Sequence, residues 1–265
     1  MARCKNLFVS KEELEEKYKE TKSIYKVAKF YNKNYKTIIS LMDYYNIKRT
    51  VGSQGARKHY YDEDYFEVID TEDKAYWLGF IMADGCIYKG SDKNSFRLQI
   101  NLKTDDKILL ELFQKCIKSD YKIQDKVLNN KYHVSTVKIN STKMCNDLIK
   151  HGVTERKSLI CEFPVTVPDN LIHHFIRGYF DGDGCISVSD TDHLRYKFSI
   201  VGGKDMLEKI QEYLPGTYLY HLKNREHIVE LQTGNIENIR NIFNYLYKDA
   251  TIFLPRKYNK FCKII

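Results

Sequence analysis

One eleven-residue pattern occurs twice in this chain. "WLGFIMADGCI" (77–87) and "IRGYFDGDGCI" (176–186) align without a gap, and their final aspartates, Asp84 and Asp183, stand 99 residues apart. The likeness continues downstream. "FRLQI" (96–100) answers to "YKFSI" (196–200), each alternating apolar and polar as a half-buried strand does. Helical patterns follow in "DKILLELFQKCI" (106–117) and "KDMLEKIQEYL" (204–214), then hairpin-like segments turning at "NNK" (129–131) and "KNRE" (223–226). A last helical pattern closes each half, "TKMCNDLIKHGV" (142–153) or "NIENIRNIFNYLY" (235–247). Each half therefore reads αββαββα. A repeat of about 100 residues is too long for a solenoid unit and suits two pseudo-symmetric subdomains, 60–163 and 164–265, of the α+β class.

Within the repeated stretch, Gly178 and Gly182 are four residues apart, as are Gly79 and Ala83. On a helix that spacing puts both small residues on one face. Glycine inside a helix costs up to about 1 kcal/mol relative to alanine, so its use in both copies, at Gly79 and Gly178, points to close contact between the two helices. Such packing would bring Asp84 and Asp183 together at two helix C-termini, where carboxylates face the negative end of the backbone dipole. Two acids crowded there repel unless a divalent cation sits between them or one acid is protonated. Hard oxygen donors suit Mg²⁺, Mn²⁺ or Ca²⁺ rather than zinc. An EF-hand in "DGDGCISVSDTD" (181–192) is excluded because Ile186 stands where that loop requires glycine.

Residues 1–50 lie outside the repeat. "KEELEEKYKET" reads as a helix, and "SIYKVAKFY" (23–31) and "YKTIISLMDYYN" (35–46) as two more around the polar turn "NKN" (32–34). A short helix, a tight turn with Asn32 at the positive-φ position, and a second helix with small Ala28 on the buried side form a helix-turn-helix pattern. Val27, Ile38 and Leu41 would supply its core. Tyr35, Lys36, Thr37 and Ser40 would stand at the groove-facing end of the recognition helix. Residues 51–59, "VGSQGARKH", read as a basic linker.

The formal net charge of +8 favours a polyanionic partner. Hydrophobic residues at 43% with only four prolines exclude a disordered chain. Seven cysteines without a CxxC pair exclude a disulfide framework and a zinc knuckle, and fit a reducing intracellular, cytoplasmic setting. No apolar run reaches the ~18 residues of a membrane span.

At its two motifs the chain resembles the LAGLIDADG homing endonuclease family, whose nine-residue signature matches "WLGFIMADG" (77–85) and "IRGYFDGDG" (176–184). "IDTEDKAY", "KSLICEFP" and "LYKDATIFLPRKY" are also similar to the family, so the resemblance spans roughly 60–260. It implies a monomer imitating a dimer, with the motif helices at a pseudo-two-fold interface and saddle-shaped antiparallel sheets lying in the major groove of double-stranded DNA. It implies that Asp84 and Asp183 ligate the metal, with Ala83 and Gly182 beside them in the metal site. Mg²⁺ is then the cofactor, Mn²⁺ a substitute, and Ca²⁺ an ion that supports binding without cleavage. Met82, where the second copy has Asp181, departs from the repeat at a position that is not a metal ligand in the family.

The strand alternation leaves Arg97, Gln99, Lys197 and Ser199 on the open faces, where such side chains suit phosphates and base edges. Lys138, alternating with Val137 and Ile139, is a candidate basic catalytic residue near the scissile phosphate, with Gln232 or Glu230 in the related place of the other half. Adjacent His173 and His174 cannot share a helix face and read as structural or surface residues. The resulting expectation is a metal-dependent, site-specific DNA endonuclease with an added N-terminal domain. A non-cleaving transcriptional regulator, or a maturase with RNA as its partner, are the alternatives on the same scaffold. An intein is disfavoured, since the chain has neither an initial Cys or Ser nor a terminal His-Asn.

Overall fold

The computed structural model describes residues 9–21, 23–48, 59–90, 95–129, 131–154, 162–190, 194–223, 225 and 227–264. All of the expected linker except His59 lies outside them, as do positions 130, 224 and 226 of the two expected hairpin turns. The chain divides into two compact units, Met1–Tyr61 and Asp62–Ile265.

The first unit holds α1 (Lys11–Thr21), α2 (Ile24–Phe30) and α3 (Tyr35–Tyr44). Leu14, Val27, Ala28, Ile38 and Leu41 are buried together at its centre. Each start has a local cause. Ser23 accepts a hydrogen bond from the Lys26 amide, and Asn34 accepts one from the Lys36 amide at 2.9 Å, satisfying donors that a helix N-terminus leaves open. Between α2 and α3, Asn32 adopts φ 49°, a left-handed conformation that asparagine tolerates better than most residues.

In the second unit the order is α4 (Glu72–Asp84), β1 (Gly85–Lys89), β2 (Phe96–Lys103), α5 (Lys107–Cys116), β3 (Gln124–Leu128), β4 (Tyr132–Asn140) and α6 (Thr142–Lys150). It then repeats as α7 (Ile172–Asp183), β5 (Gly184–Asp190), β6 (Leu194–Gly203), α8 (Lys204–Tyr213), β7 (Tyr218–His221), β8 (Ile228–Thr233) and α9 (Ile236–Tyr247). A further helix, α10 (Pro255–Cys262), follows the second copy. The two antiparallel sheets have matching orders, β1-β2-β4-β3 and β5-β6-β8-β7. The expected αββαββα duplication is thus the observed one. Among the described residues, no helix is long and apolar enough to cross a membrane.

Each sheet buries one face under helices. Leu98, Ile100, Val137 and Ile139 point inward from the first sheet, and Phe198, Ile200, Val229 and Leu231 from the second. Helices α4 and α7 are buried almost all round, from Ala75 to Met82 and from His174 to Asp181, as helices at the centre of a protein must be. They make the most extensive contact between any two described elements.

Glycine allows that contact. A Cβ on Gly79 would collide with the Phe175 carbonyl oxygen and lie 2.9 Å from the Tyr179 amide nitrogen. One on Gly178 would collide with the Tyr76 carbonyl oxygen and lie 3.0 Å from the Phe80 nitrogen. The obstacles are backbone, which cannot swing aside. The two helices run in the same direction, touching again where Gly182 meets Ala83.

Buried polar contacts then fix the halves to one another. Arg177 of α7, 0% exposed, donates to Glu72 of α4 at 2.7 Å and to the Leu246 and Ile252 carbonyls. Glu72 also accepts from the Thr251 and Ile252 amides and the Thr251 hydroxyl. Tyr76 of α4 donates to Asp181 of α7 at 2.8 Å, and Arg256 of α10 reaches Asp106 in the first half at 2.9 Å. The segment 251–257 is therefore held by both halves.

Two outcomes follow from this packing. Gly79→Ala and Gly178→Ala should each lower stability by about 3 kcal/mol or more, at the upper end of overpacking costs. Gly203→Ala, whose added Cβ meets nothing within 4 Å, should change it by less than about 1 kcal/mol. Equal urea midpoints for all three would refute the backbone contact. Glu72→Ala should cost about 3 kcal/mol by stranding the buried Arg177 charge, and a joint Glu72→Met, Arg177→Met change should recover much of that loss. A double-mutant cycle on urea midpoints measures it, and simple additivity would refute the pairing.

Candidate active site

The paired helices α4 and α7 end side by side, and their last residues are Asp84 and Asp183. Both carboxylates are exposed, although every residue from Ala75 to Met82 and from His174 to Asp181 is buried. The neighbouring Ala83 and Gly182 are the residues in contact where the helix ends meet. Two helix C-termini, each carrying partial negative charge, thus converge with two acidic side chains. An oxygen-donor, negatively charged pair at the surface fits a hard divalent cation, and among the described residues no histidine or cysteine joins these two carboxylates in a group of three metal-binding side chains.

Asp181, two residues before Asp183, has a different role from its neighbour. It is buried, and its Oδ2 accepts from the Tyr76 hydroxyl at 2.8 Å and the Leu254 amide at 2.7 Å. Burial pushes its carboxyl up to about 6, against the opposing pull of Lys257. Lys257 is only 3% exposed, and its ammonium donates to the carbonyls of Phe180, Asp181 and Gly182 at 2.6, 2.8 and 3.2 Å. Burial holds its pKa down to about 8, while Asp181 and, more weakly, Asp84 favour its charged form. A cation is thus built into the end of α7, where it satisfies carbonyls that the helix leaves open. The Gly182 carbonyl has the longest of the three bonds and keeps a second lone pair. In the first copy Met82 occupies the place of Asp181 and packs beneath Gly152, whose φ of 98° requires glycine.

The strands leading away from the carboxylates carry the remaining candidates. Cys86, Gln99 and Lys138 stand abreast across β1, β2 and β4. Cys185, Ser199 and Gln232 do so across β5, β6 and β8. Lys138 and Gln232 therefore occupy matched positions, both half-buried and both on the face opposite the core. Glu230 instead forms an ion pair with Lys197 at 2.8 Å. Arg97 is exposed and Gln99 half-buried. Ser199 departs from expectation: its register places it on the open face, but it is only 5% exposed. A short side chain in a strand flanked on both sides lies below its longer neighbours, so Ser199 is not an accessible contact. Tyr35, Lys36, Thr37 and Ser40 lie at the start of α3 in the other compact unit, where all but half-buried Tyr35 are exposed.

At the opposite end of α7, His173 and His174 lean together with ring centroids 3.8 Å apart, although adjacent residues ordinarily diverge around a helix. With Asp249 they form the one cluster of three metal-binding side chains among the described residues. The Arg177 cation at its edge, which occupies the His174 Nδ1, disfavours a metal there. The His174 Nδ1 is 2.7 Å from the Arg177 guanidinium, and burial together with that charge lowers the His174 pKa to about 4. Neutral His174 accepts the arginine's hydrogen bond, which is a structural role.

Lys257, Tyr76 and the Glu72–Arg177 pair were not singled out by sequence reasoning. The "LPRKY" run gave the only local sign, because each partner is at least 70 residues distant.

Comparison with known proteins agrees with this architecture. A family model described as LAGLIDADG endonuclease matches residues 176–265, and one described as LAGLIDADG-like domain matches 71–144. The solved meganuclease I-SmaMI, bound to uncleavable DNA, aligns at 14% identity and TM-score 0.52 over 71% of this chain and 88% of that one. The LAGLIDADG homing endonuclease I-LtrWI, bound to target DNA, aligns at 15% identity and TM-score 0.52 over 76% and 90%. I-GzeII, in complex with its DNA target, gives 18% identity and TM-score 0.51 over 72% and 88%. At these identities the likeness is one of fold. No curated protein matches the chain. Two matched family domains, each with one of the glycine-packed helices, on a fold shared with LAGLIDADG meganucleases, establish that the chain belongs to the LAGLIDADG family.

Proposed function

We propose that this protein is a site-specific endonuclease that hydrolyses both strands of a long double-stranded DNA target, as homing endonucleases do. The observation that carries the reading is the exposed pair Asp84 and Asp183 at the joined ends of α4 and α7, with a polar sheet face leading away from each. A protein that only bound DNA would have no use for two acids crowded against two helix C-termini.

Asp84 and Asp183 are the residues that would hold a divalent cation, Mg²⁺ by the hardness of their oxygens, with the backbone of Ala83 and Gly182 beside them. When bound, such a cation supplies Lewis-acid stabilisation of the phosphoryl oxygens and a more acidic water. The chain's own groups do the rest. Lys138, abreast of Cys86 and separated from it by Gln99 of β2, offers an ammonium that can stabilise the negative charge growing on the phosphate during attack. Gln232, at the matched position, offers a neutral amide that can orient a water but cannot neutralise charge. The two strands of the substrate therefore meet unequal surroundings. Lys257 keeps the α7 end fixed against the field of the acids, acting through Gly182 rather than on the substrate. Polar side chains of the open faces, Arg97 and Gln99 among them, engage base edges and phosphates. The N-terminal unit adds a second DNA contact through Lys36, Thr37 and Ser40 at the start of α3, working as a helix-turn-helix.

Asp84→Asn and Asp183→Asn should leave specific DNA affinity in calcium buffer within a few fold. Each should lower double-strand cleavage in Mg²⁺ by roughly a thousandfold, the effect of removing several kcal/mol of metal stabilisation. Gel-shift and cleavage assays on the same duplex separate the two effects, and normal cleavage by both variants would refute the site. A chain beginning at Tyr60 should cut the same phosphodiesters at saturating protein but bind more weakly, with a shorter footprint and a smaller salt slope. Footprints of equal length would show that residues 1–59 do not contact the DNA.

A further inference from the structure

The two open sheet faces are built on one plan but differ at one matched pair of residues. In the first sheet Arg97 lies opposite Asn140, and its Nε donates to the Asn140 Oδ1 at 2.7 Å. That bond fixes the plane of the guanidinium while using its inner nitrogen alone. Among the described residues, the two terminal nitrogens have no partner. They form the fork that matches the O6 and N7 acceptors of guanine in the major groove. Asn101, four residues along the same strand, is similarly committed: its Oδ1 accepts from Gln99 at 3.1 Å and from Thr136 at 2.8 Å. The polar groups of this face are held before any ligand arrives, which lowers the ordering cost of recognition.

The second sheet lacks this arrangement. Lys197 stands where Arg97 stands, two positions before the residue paired with the cysteine that follows the motif glycine: Cys86 pairs with Gln99, and Cys185 with Ser199. Where Asn140 follows Ile139, Gly234 follows Thr233, so no side chain is present to orient a base-reading group. Lys197 turns instead to Glu230 at 2.8 Å, and the pair cancels its own charge on the face. Arg195, two residues farther from the carboxylates, has no partner that orients it among the described residues.

We propose that Arg97, positioned by Asn140, is a specificity-determining residue that reads one guanine on one side of the cut site. The mirror position, beneath Lys197 and Glu230, carries no corresponding guanine requirement. The inference rests on the DNA-binding reading above and deepens it by naming the side chain that sets one fixed base.

The test is selection of a fully randomised duplex library by the full-length protein in calcium buffer, repeated with variants of matched thermal midpoint. Wild type should enrich a site with a guanine fixed at one position and free at its mirror. Arg97→Ala and Arg97→Lys should both erase that preference and leave other positions unchanged, with affinity for the wild-type site falling roughly ten- to a hundredfold. The salt slope should fall by about one for Arg97→Ala and stay near wild type for Arg97→Lys. Asn140→Ala should relax the guanine preference without altering the salt slope. Glu230→Gln, by freeing Lys197, should strengthen binding to all sequences and steepen their salt dependence. If both Arg97 variants select the same site as wild type, the inference is wrong while DNA recognition stands. An unaltered Glu230→Gln variant would overturn the explanation of the asymmetry. If wild type enriches nothing, DNA recognition itself fails and the inference falls with it.

Discussion

The meeting of two helix backbones at Gly79 and Gly178 is the constraint on which the rest of the second unit depends. Each glycine lies against carbonyl and amide groups of the partner helix, so nothing at the crossing can yield to a side chain. Once the helices are that close and run in the same direction, their C-terminal ends meet where Gly182 touches Ala83, and Asp84 and Asp183 are brought together. The strands that follow each end start from the same point, so both sheets inherit their placement from the crossing. Fold and candidate site are therefore one geometric fact. A rotation of either helix would move the carboxylates, the sheet faces and the segment 251–257 at once.

Duplication alone does not account for the structure, because the halves have diverged where polar groups are buried. The second copy carries Asp181, supported by Tyr76 and the Leu254 amide, and has a lysine inserted into its helix end. The first copy has Met82 there, in an apolar setting under Gly152. Both solutions fill the same space. A buried carboxylate with few partners is costly, which its raised pKa expresses, and one oxygen, Oδ1, has no hydrogen-bond partner among the described residues. What the acid contributes is direction: hydrogen bonds have angles where packed methylenes have none, and these join a helix of each half to the residues leading into α10.

Much of this was legible in the sequence, for a physical reason. Periodicities of two and 3.6 arise within a few residues, so the αββαββα order, the repeat and the glycine spacing could be read directly. Asn32 and its positive φ belong to the same local class. The placement of Asp84 and Asp183 followed from a single packing argument. Contacts between distant residues were not legible. Nothing near Arg177 announces Glu72, and nothing near Lys257 announces three carbonyls more than 70 residues earlier. Ser199 shows a subtler limit, since alternation names the face a residue occupies but not whether taller neighbours shade it. The nearness of His173 and His174 was likewise hidden, because average helix geometry says little about how two rings tilt in the first turn.

The segment 251–257 has a consequence for how the protein is made. It supplies the amides that bind Glu72, the amide that binds Asp181, and the side chains of Arg256 and Lys257. All of these partners lie earlier in the chain and leave the ribosome before it. The first half thus emerges with the face of α4 bare and Glu72 unclaimed, and the second half emerges with the end of α7 uncapped. At elongation rates of ~5–20 residues per second, many seconds separate α4 from the residues that secure it. The helix crossing can form during synthesis, but its polar locks close only after 251–257 have been made. Until then the aromatic surface of α4 is covered across the helix crossing by its glycine contact with α7 alone, without those polar locks.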